Sequence, residues 1–80
     1  MRGILPSAHR IERRMRVTAN GKPYEIDGGT TVSEFIRGQK LDPRFVAIER
    51  NGEPLERRRY DEVRLIEGDR LELVRAVAGG

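Results

Sequence analysis

The dipeptide Asn20-Gly21, set between two stretches that alternate apolar and polar side chains, constrains this chain more than any other feature. Both central residues of a two-residue type I′ turn need a positive φ, which asparagine and glycine tolerate best. Ahead of it, Met15, Val17 and Ala19 alternate with Arg16, Thr18 and Asn20; behind it, Tyr24 and Ile26 alternate with Glu25 and Asp27. A period of two sends one set to a buried face and the other to water. The reading is a β-hairpin opening at Met15, and a hairpin with one apolar face needs something to cover it.

The cover comes at once. Gly28-Gly29 ends the hairpin, and Thr31 with Glu34 makes a capping box, in which each side chain satisfies a backbone N–H that the first helical turn leaves unpaired. Val32, Phe35 and Ile36 then fall at i, i+3 and i+4, a narrow apolar stripe with Glu34 and Arg37 turned away. A helix this short does not hold in water by itself and must lie on the sheet. Gly38 and the Asp42-Pro43 pair mark its end.

Phe45, Val46, Ala47 and Ile48 form a continuous apolar run, which predicts a strand covered on both faces, and Asn51-Gly52 supplies a second turn. Glu56-Arg57-Arg58-Arg59 reads as a solvated connection whose charge Glu56, Asp61 and Glu62 dilute. Tyr60 and Val63 to Ile66 anchor that connection, with one helical turn and a short strand. After the turn Glu67-Gly68-Asp69, Leu71 and Leu73 alternate with Arg70, Glu72 and Arg75, the clearest strand of the chain. Hairpin, helix, strand, irregular crossing and strand pack most simply as an α+β domain, a mixed sheet of four to five strands curled around one main helix. That is a β-grasp, or ubiquitin-like, arrangement.

Eighty residues with 36% apolar side chains supply one such core and no second. The absence of cysteine removes disulfides, thiol nucleophiles and thiolate metal sites, and His9 alone builds no imidazole cluster. The net charge of +3 belongs to the first fourteen residues, where Arg2, Arg10, Arg13 and Arg14 face Glu12 alone; residues 15–80 hold 12 basic and 12 acidic side chains. A body so balanced lacks the field that phosphate backbones require, so no nucleic-acid partner is expected. Residues 1–14, with Gly3 and Pro6 and no sustained period, read as a disordered basic extension of a single 15–80 domain. No apolar stretch approaches the ~20 residues that span a bilayer, and no secretory core follows a basic start, so a cytoplasmic protein without a membrane partner is expected.

Nothing in residues 15–80 resembles an active site. There is no Ser-His-Asp set, no H-E-x-x-H and no phosphate loop, and Gly28-Gly29 lacks the Lys that would hold a nucleotide. No catalytic residue, no metal ligand and no bound cofactor is assigned, and the chain is not read as an enzyme. Its least ordinary feature is the last strand running directly into Val77-Ala78-Gly79-Gly80. Glycine has no Cβ, so a Gly-Gly tail can lie extended in a channel too narrow for other residues and leaves its carbonyl sterically open. A carboxylate with a pKa of about 3.5 is ionised at neutral pH and a poor electrophile. Attack by it on the α-phosphate of ATP gives an acyl adenylate that a sulfur or nitrogen nucleophile can open. In that chemistry the protein is the substrate of its partner.

Residues 15–80 resemble the ThiS family of thiamine-biosynthesis sulfur carriers along their whole length. The resemblance rests on Asn20-Gly21; on Thr31-Val32 with Phe35-Ile36; on Phe45-Val46-Ala47-Ile48-Glu49-Arg50-Asn51-Gly52; on Arg57 with Tyr60; and on Gly68-Asp69-Arg70-Leu71-Glu72-Leu73-Val74 ahead of Val77-Ala78-Gly79-Gly80. It implies that Gly80 is adenylated by a ThiF-type adenylyltransferase, which consumes ATP, and converted to a thiocarboxylate. Its sulfur would pass to a ThiG-type thiazole synthase, with a sulfur donor protein as a further partner. Ala78, Gly79 and Gly80 would thread the partner's active site, and Val74, Arg75 and Val77 would meet its surface, sheet packing being the other reading of the two valines. Departures from the family are the fourteen-residue extension and Tyr60, where many members carry Trp. Three alternatives stand beside this reading. The chain could be a MoaD-like subunit of molybdopterin synthase, or a carrier or protein-conjugating modifier of another pathway. It could also be a non-covalent ubiquitin-like module with an incidental Gly-Gly.

Overall fold

The computed structural model describes residues 13–75. Its elements, in chain order, are β1 (Arg14–Ala19), β2 (Lys22–Asp27), α1 (Val32–Gly38), a 3-10 turn (Pro43–Phe45), β3 (Val46–Arg50), β4 (Glu53–Leu55), a second 3-10 turn (Arg57–Arg59) and β5 (Arg70–Arg75). The five strands form one sheet in the order β2-β1-β5-β3-β4. β1 pairs with β5 in parallel, and the other neighbours are antiparallel, so the sheet is mixed as expected. β1 takes in Arg14, one residue ahead of the first alternating position; residues 1–12 of the expected extension lie outside the described residues.

Both Asn-Gly pairs close two-residue hairpins. Ala19 pairs with Lys22 across Asn20-Gly21, and Arg50 pairs with Glu53 across Asn51-Gly52. The φ values are 51° and 82° in the first turn and 52° and 87° in the second, positive at both central residues of each as a type I′ turn demands. The two strand prolines, Pro23 and Pro54, stand in β2 and β4, the edge strands, where a missing N–H costs the sheet no ladder bond.

The capping box of α1 is present. The Glu34 N–H donates to the Thr31 hydroxyl at 3.1 Å, and the Thr31 N–H donates to the Glu34 carboxylate at 2.9 Å. Val32, Phe35 and Ile36 are buried against Val17, Ala19, Val46, Ile48 and Leu71 from the sheet. Removing one such aliphatic side chain to alanine typically costs about 2–5 kcal/mol. The helix ends at the expected Gly38, and the left-handed residue that closes it stands two positions further on. Lys40 takes φ of 65°, and the Leu41 N–H donates back to the Ile36 carbonyl at 3.2 Å.

Two stretches depart from the sequence reading. The run Phe45–Ile48 is not covered on both faces. Phe45 ends a 3-10 turn at 49% exposure with the Arg44 guanidinium over its ring, and Ala47 is exposed while Val46 and Ile48 are buried. Among the described residues a single seven-residue helix covers one side of the five-stranded sheet and none covers the other, where Ala47 and Val74 are exposed. The expected short strand over Val63–Ile66 is a single bridge, Thr31 with Arg64. Val63 and Leu65 are nonetheless buried and close the core from below the helix, together with Tyr60. The Tyr60 hydroxyl donates to the Val46 carbonyl at 2.8 Å, satisfying an acceptor that β4 is too short to reach.

The arginine run behaves as a solvated connection. All three of its residues are exposed; Arg58 pairs with Glu56 and Arg59 with Glu62, each at 3.2 Å, while Arg57 reaches the Val46 carbonyl at 3.5 Å. Asp61 forms no ion pair with the run among the described residues; it accepts from the buried Ser33 hydroxyl and ties the start of α1 to the crossing loop. No helix among the described residues is long and apolar enough to cross a membrane.

Candidate functional site

The strand that leads toward the Gly-Gly tail is β5, and the fold places it in the middle of the sheet. Its beginning is fastened by a buried carboxylate. Asp69 is 3% exposed and accepts from the Ile66 N–H at 2.9 Å, the Asn51 amide at 3.0 Å and the Arg50 guanidinium at 3.1 Å. Burial works against its ionisation, but these three donors outweigh that penalty and hold the carboxyl below the usual carboxylate range. Asn51 completes the anchor, accepting from the Arg70 N–H at 2.9 Å while its own N–H donates to the Arg70 carbonyl at 2.7 Å.

The far half of β5 is held differently. β1 turns away at Asn20, so its ladder with β5 ends where the Asn20 N–H donates to the Leu71 carbonyl at 2.9 Å. The Asn20 carboxamide then extends that ladder by one more step. It accepts from the Leu73 N–H at 2.8 Å and donates to the Leu73 carbonyl at 3.2 Å, standing in for the backbone of a strand that is no longer there. Sequence reasoning assigns Asn20 and Asn51 to turns on backbone grounds alone and misses what their side chains do. The signal is the use of asparagine in both turns where aspartate or glycine would also bend the chain.

Past Leu73 the β1 side of β5 has no partner among the described residues. Val46 and Arg75 face each other across β3 and β5, but the Val46 carbonyl is taken by Tyr60 and its N–H by the Pro43 carbonyl. They are thus a non-hydrogen-bonded pair, and the alternation of an antiparallel ladder turns the N–H and C=O of Arg75 away from β3. Beside that edge lies a groove of about 370 Å³, walled by Asn20, Lys22 and Tyr24 of the first hairpin, Leu41 beyond α1, and Leu73 and Arg75.

Of the site residues expected from sequence, Val74 and Arg75 are described, both exposed. Val74 is 62% exposed on the outer face, directly across from the exposed Ala47, so it is not packed into the core. Val77, Ala78, Gly79 and Gly80 lie outside the described residues.

One helix gripped by a five-stranded mixed sheet, with β5 central and its end carried past the hairpin beside it, defines a β-grasp domain among the described residues. The profile of the ThiS family matches residues 17–80. The chain is 36% identical over 62 residues to the sulfur carrier protein ThiS of Bacillus subtilis, covering 76% of this chain and 94% of that protein. The crystal structure of a thiamine biosynthesis protein, ThiS, from Geobacter metallireducens superposes with a TM-score of 0.67 at 36% identity, over 82% of this chain and all of that one. A thiazole synthase of Magnetococcus marinus is 36% identical over 66 residues, which are 82% of this chain and 20% of the synthase. The chain thus spans a fifth of the length of that relative. The chain belongs to the ThiS family.

Proposed function

We propose that this chain is a sulfur carrier in thiamine biosynthesis whose reacting group is the carboxylate of Gly80. A ThiF-type adenylyltransferase activates it: one carboxylate oxygen attacks the α-phosphate of ATP and pyrophosphate leaves. Hydrosulfide adds to the acyl carbon and AMP departs with the bonding pair, leaving a thiocarboxylate and a released proton. A ThiG-type thiazole synthase then receives the sulfur.

The observation that carries this reading is the placement of β5. Held on both sides as far as Leu73, it gives the tail a fixed point of departure, and residues 76–80 reach at most about 17 Å at ~3.3 Å per residue. That is long enough to enter a nucleotide pocket while the folded body stays at its rim. Ala78, Gly79 and Gly80 thread the pocket, and Val74, Arg75 and Val77 meet the partner's surface. Val74 and Ala47 offer an apolar contact there. The alignment with a fifth of a thiazole synthase supports that enzyme as the acceptor's host.

The test is the intact mass of the full chain after incubation with ATP, sulfide and a ThiF-type adenylyltransferase. Exchange of one oxygen for one sulfur at Gly80 is expected, with none in a chain lacking Gly79-Gly80 that keeps the parent's unfolding midpoint. Sulfur incorporation into the truncated chain, or none into the full one, overturns the reading.

A further inference from the structure

Beyond the tail, the groove at the end of β5 has its own ligand chemistry. Its open edge offers both a donor and an acceptor at Arg75, the pair that another backbone presents and that a phosphate chain, rich only in acceptors, does not. Side chains of β5 alternate, so Arg75 lies on the same face as Leu73, the helix side, and stands over the groove. Tyr24, Leu41 and Leu73, each half-buried, give the floor an apolar character. Tyr24 is held edge-on to Phe35, with ring centroids 5.4 Å apart, so the wall it forms is fixed in place. Lys22 and Arg75 supply two positive charges at the rim; among the described residues no acidic side chain lines the groove and neither cation is in an ion pair.

We propose that this groove docks an extended acidic segment of the activating enzyme, which adds to the sheet as a short strand beside Arg75. The segment pairs its backbone with the Arg75 N–H and C=O, and sets an apolar and an acidic side chain, two positions apart, into the groove. The apolar one rests on Tyr24, Leu41 and Leu73; the acidic one lies between Lys22 and Arg75. Asn20 determines where that strand begins, because its carboxamide already occupies Leu73 and leaves Arg75 as the first free position. The inference rests on the carrier reading of the tail and gives that reading a second contact, one that orients the body while the glycines enter the pocket.

The experiment compares three chains with a ThiF-type adenylyltransferase: wild type, the double variant Lys22→Glu with Arg75→Glu, and Arg75→Pro. The first variant reverses the rim charge. The second removes the edge N–H but no bond to β3, since that N–H points away from it. Unfolding midpoints matching the wild type establish that both variants are folded. Pyrophosphate release should show KM raised at least tenfold in both variants with kcat nearly unchanged, and a KM that rises with salt in the wild type far more than in the charge-reversed chain. Amide exchange of the wild type bound to the enzyme without ATP should slow at Arg75. KM values within twofold of wild type, with the Arg75 amide unprotected, overturn the docking strand and leave the carrier reading standing. A wild-type chain that the enzyme never adenylates overturns the carrier reading, and this proposal falls with it.

Discussion

The two Asn-Gly hairpins are nearly identical as local structure and opposite in what they do for β5. Both close two-residue loops with the asparagine φ near 50°, and both send the asparagine carboxamide across to the same end-to-end strand or its anchor. Asn51 binds at the strand's buried start, where Asp69 and Arg50 complete a charged cluster. Asn20 binds at its exposed end, where the carboxamide is the last partner of β5 on that side among the described residues. One turn fastens the strand to the fold, and the other decides how far the fold accompanies it. The same dipeptide therefore fastens the strand's start in one place and sets the end of its ladder in the other.

Removing the charge at the fastened end should have the largest effect. Asp69→Asn turns an acceptor toward donors that cannot all be satisfied, and a loss of about 2–4 kcal/mol in urea unfolding is expected. The variant should also flatten the acid limb of stability. The Asp69 carboxyl lies below the usual range when folded and near ~3.9 when unfolded, so the unfolded chain takes up more protons as pH drops. The stabilisation is complete above about pH 4 and is lost as pH falls through the folded value. Asp42, which the Arg44 guanidinium and N–H hold down to about 2, keeps a shallow acid limb in the variant. An unchanged urea midpoint from pH 7 to pH 3 in the wild type would contradict this.

Replacing each asparagine with glycine keeps the turn and removes only the carboxamide. Asn51→Gly should cost about 2 kcal/mol and Asn20→Gly about 1 kcal/mol, because only the former leaves a buried carboxylate short of a donor. Amide exchange should separate them further: Asn20→Gly speeds exchange at Leu73 and leaves Arg70 protected, whereas Asn51→Gly loosens Arg70. Equal costs with identical exchange patterns would erase the distinction. The smallest effect belongs to Lys40, a left-handed residue whose side chain makes no hydrogen bond among the described residues. Lys40→Gly should stabilise by about 0.5–1 kcal/mol, visible as a raised thermal midpoint, since only backbone strain is relieved.

Features written in neighbouring residues are legible in the amino-acid order alone. The Asn20-Gly21 hairpin, the Thr31–Glu34 box and the apolar stripe Val32, Phe35 and Ile36 each rest on interactions a few residues long. The β-grasp order comes with them, since few arrangements cover a hairpin with one helix. The hidden features depend on partners distant in sequence. Asn20 and Leu73 are 53 positions apart, and nothing near either announces their pairing. Asp69 reads as a turn residue because the residues that bury and bind it, Arg50 and Asn51, arrive from another hairpin. The run Phe45–Ile48 misleads because apolar content suggests two-sided burial, while one short helix covers one face. Val63 to Ile66 has the composition of a strand but pairs through one bridge alone, Thr31 with Arg64, while Val63 and Leu65 are spent on the core.

The central placement of β5 has a mechanical consequence. Force applied to the C-terminal end does not peel an outer strand bond by bond; it loads the β1 and β3 ladders together, along the direction in which they slide. With β1 parallel to β5, a pull between the two ends of the domain is met in shear by all of those bonds at once. A pull on whatever follows β5 is therefore resisted without unravelling the body of the domain.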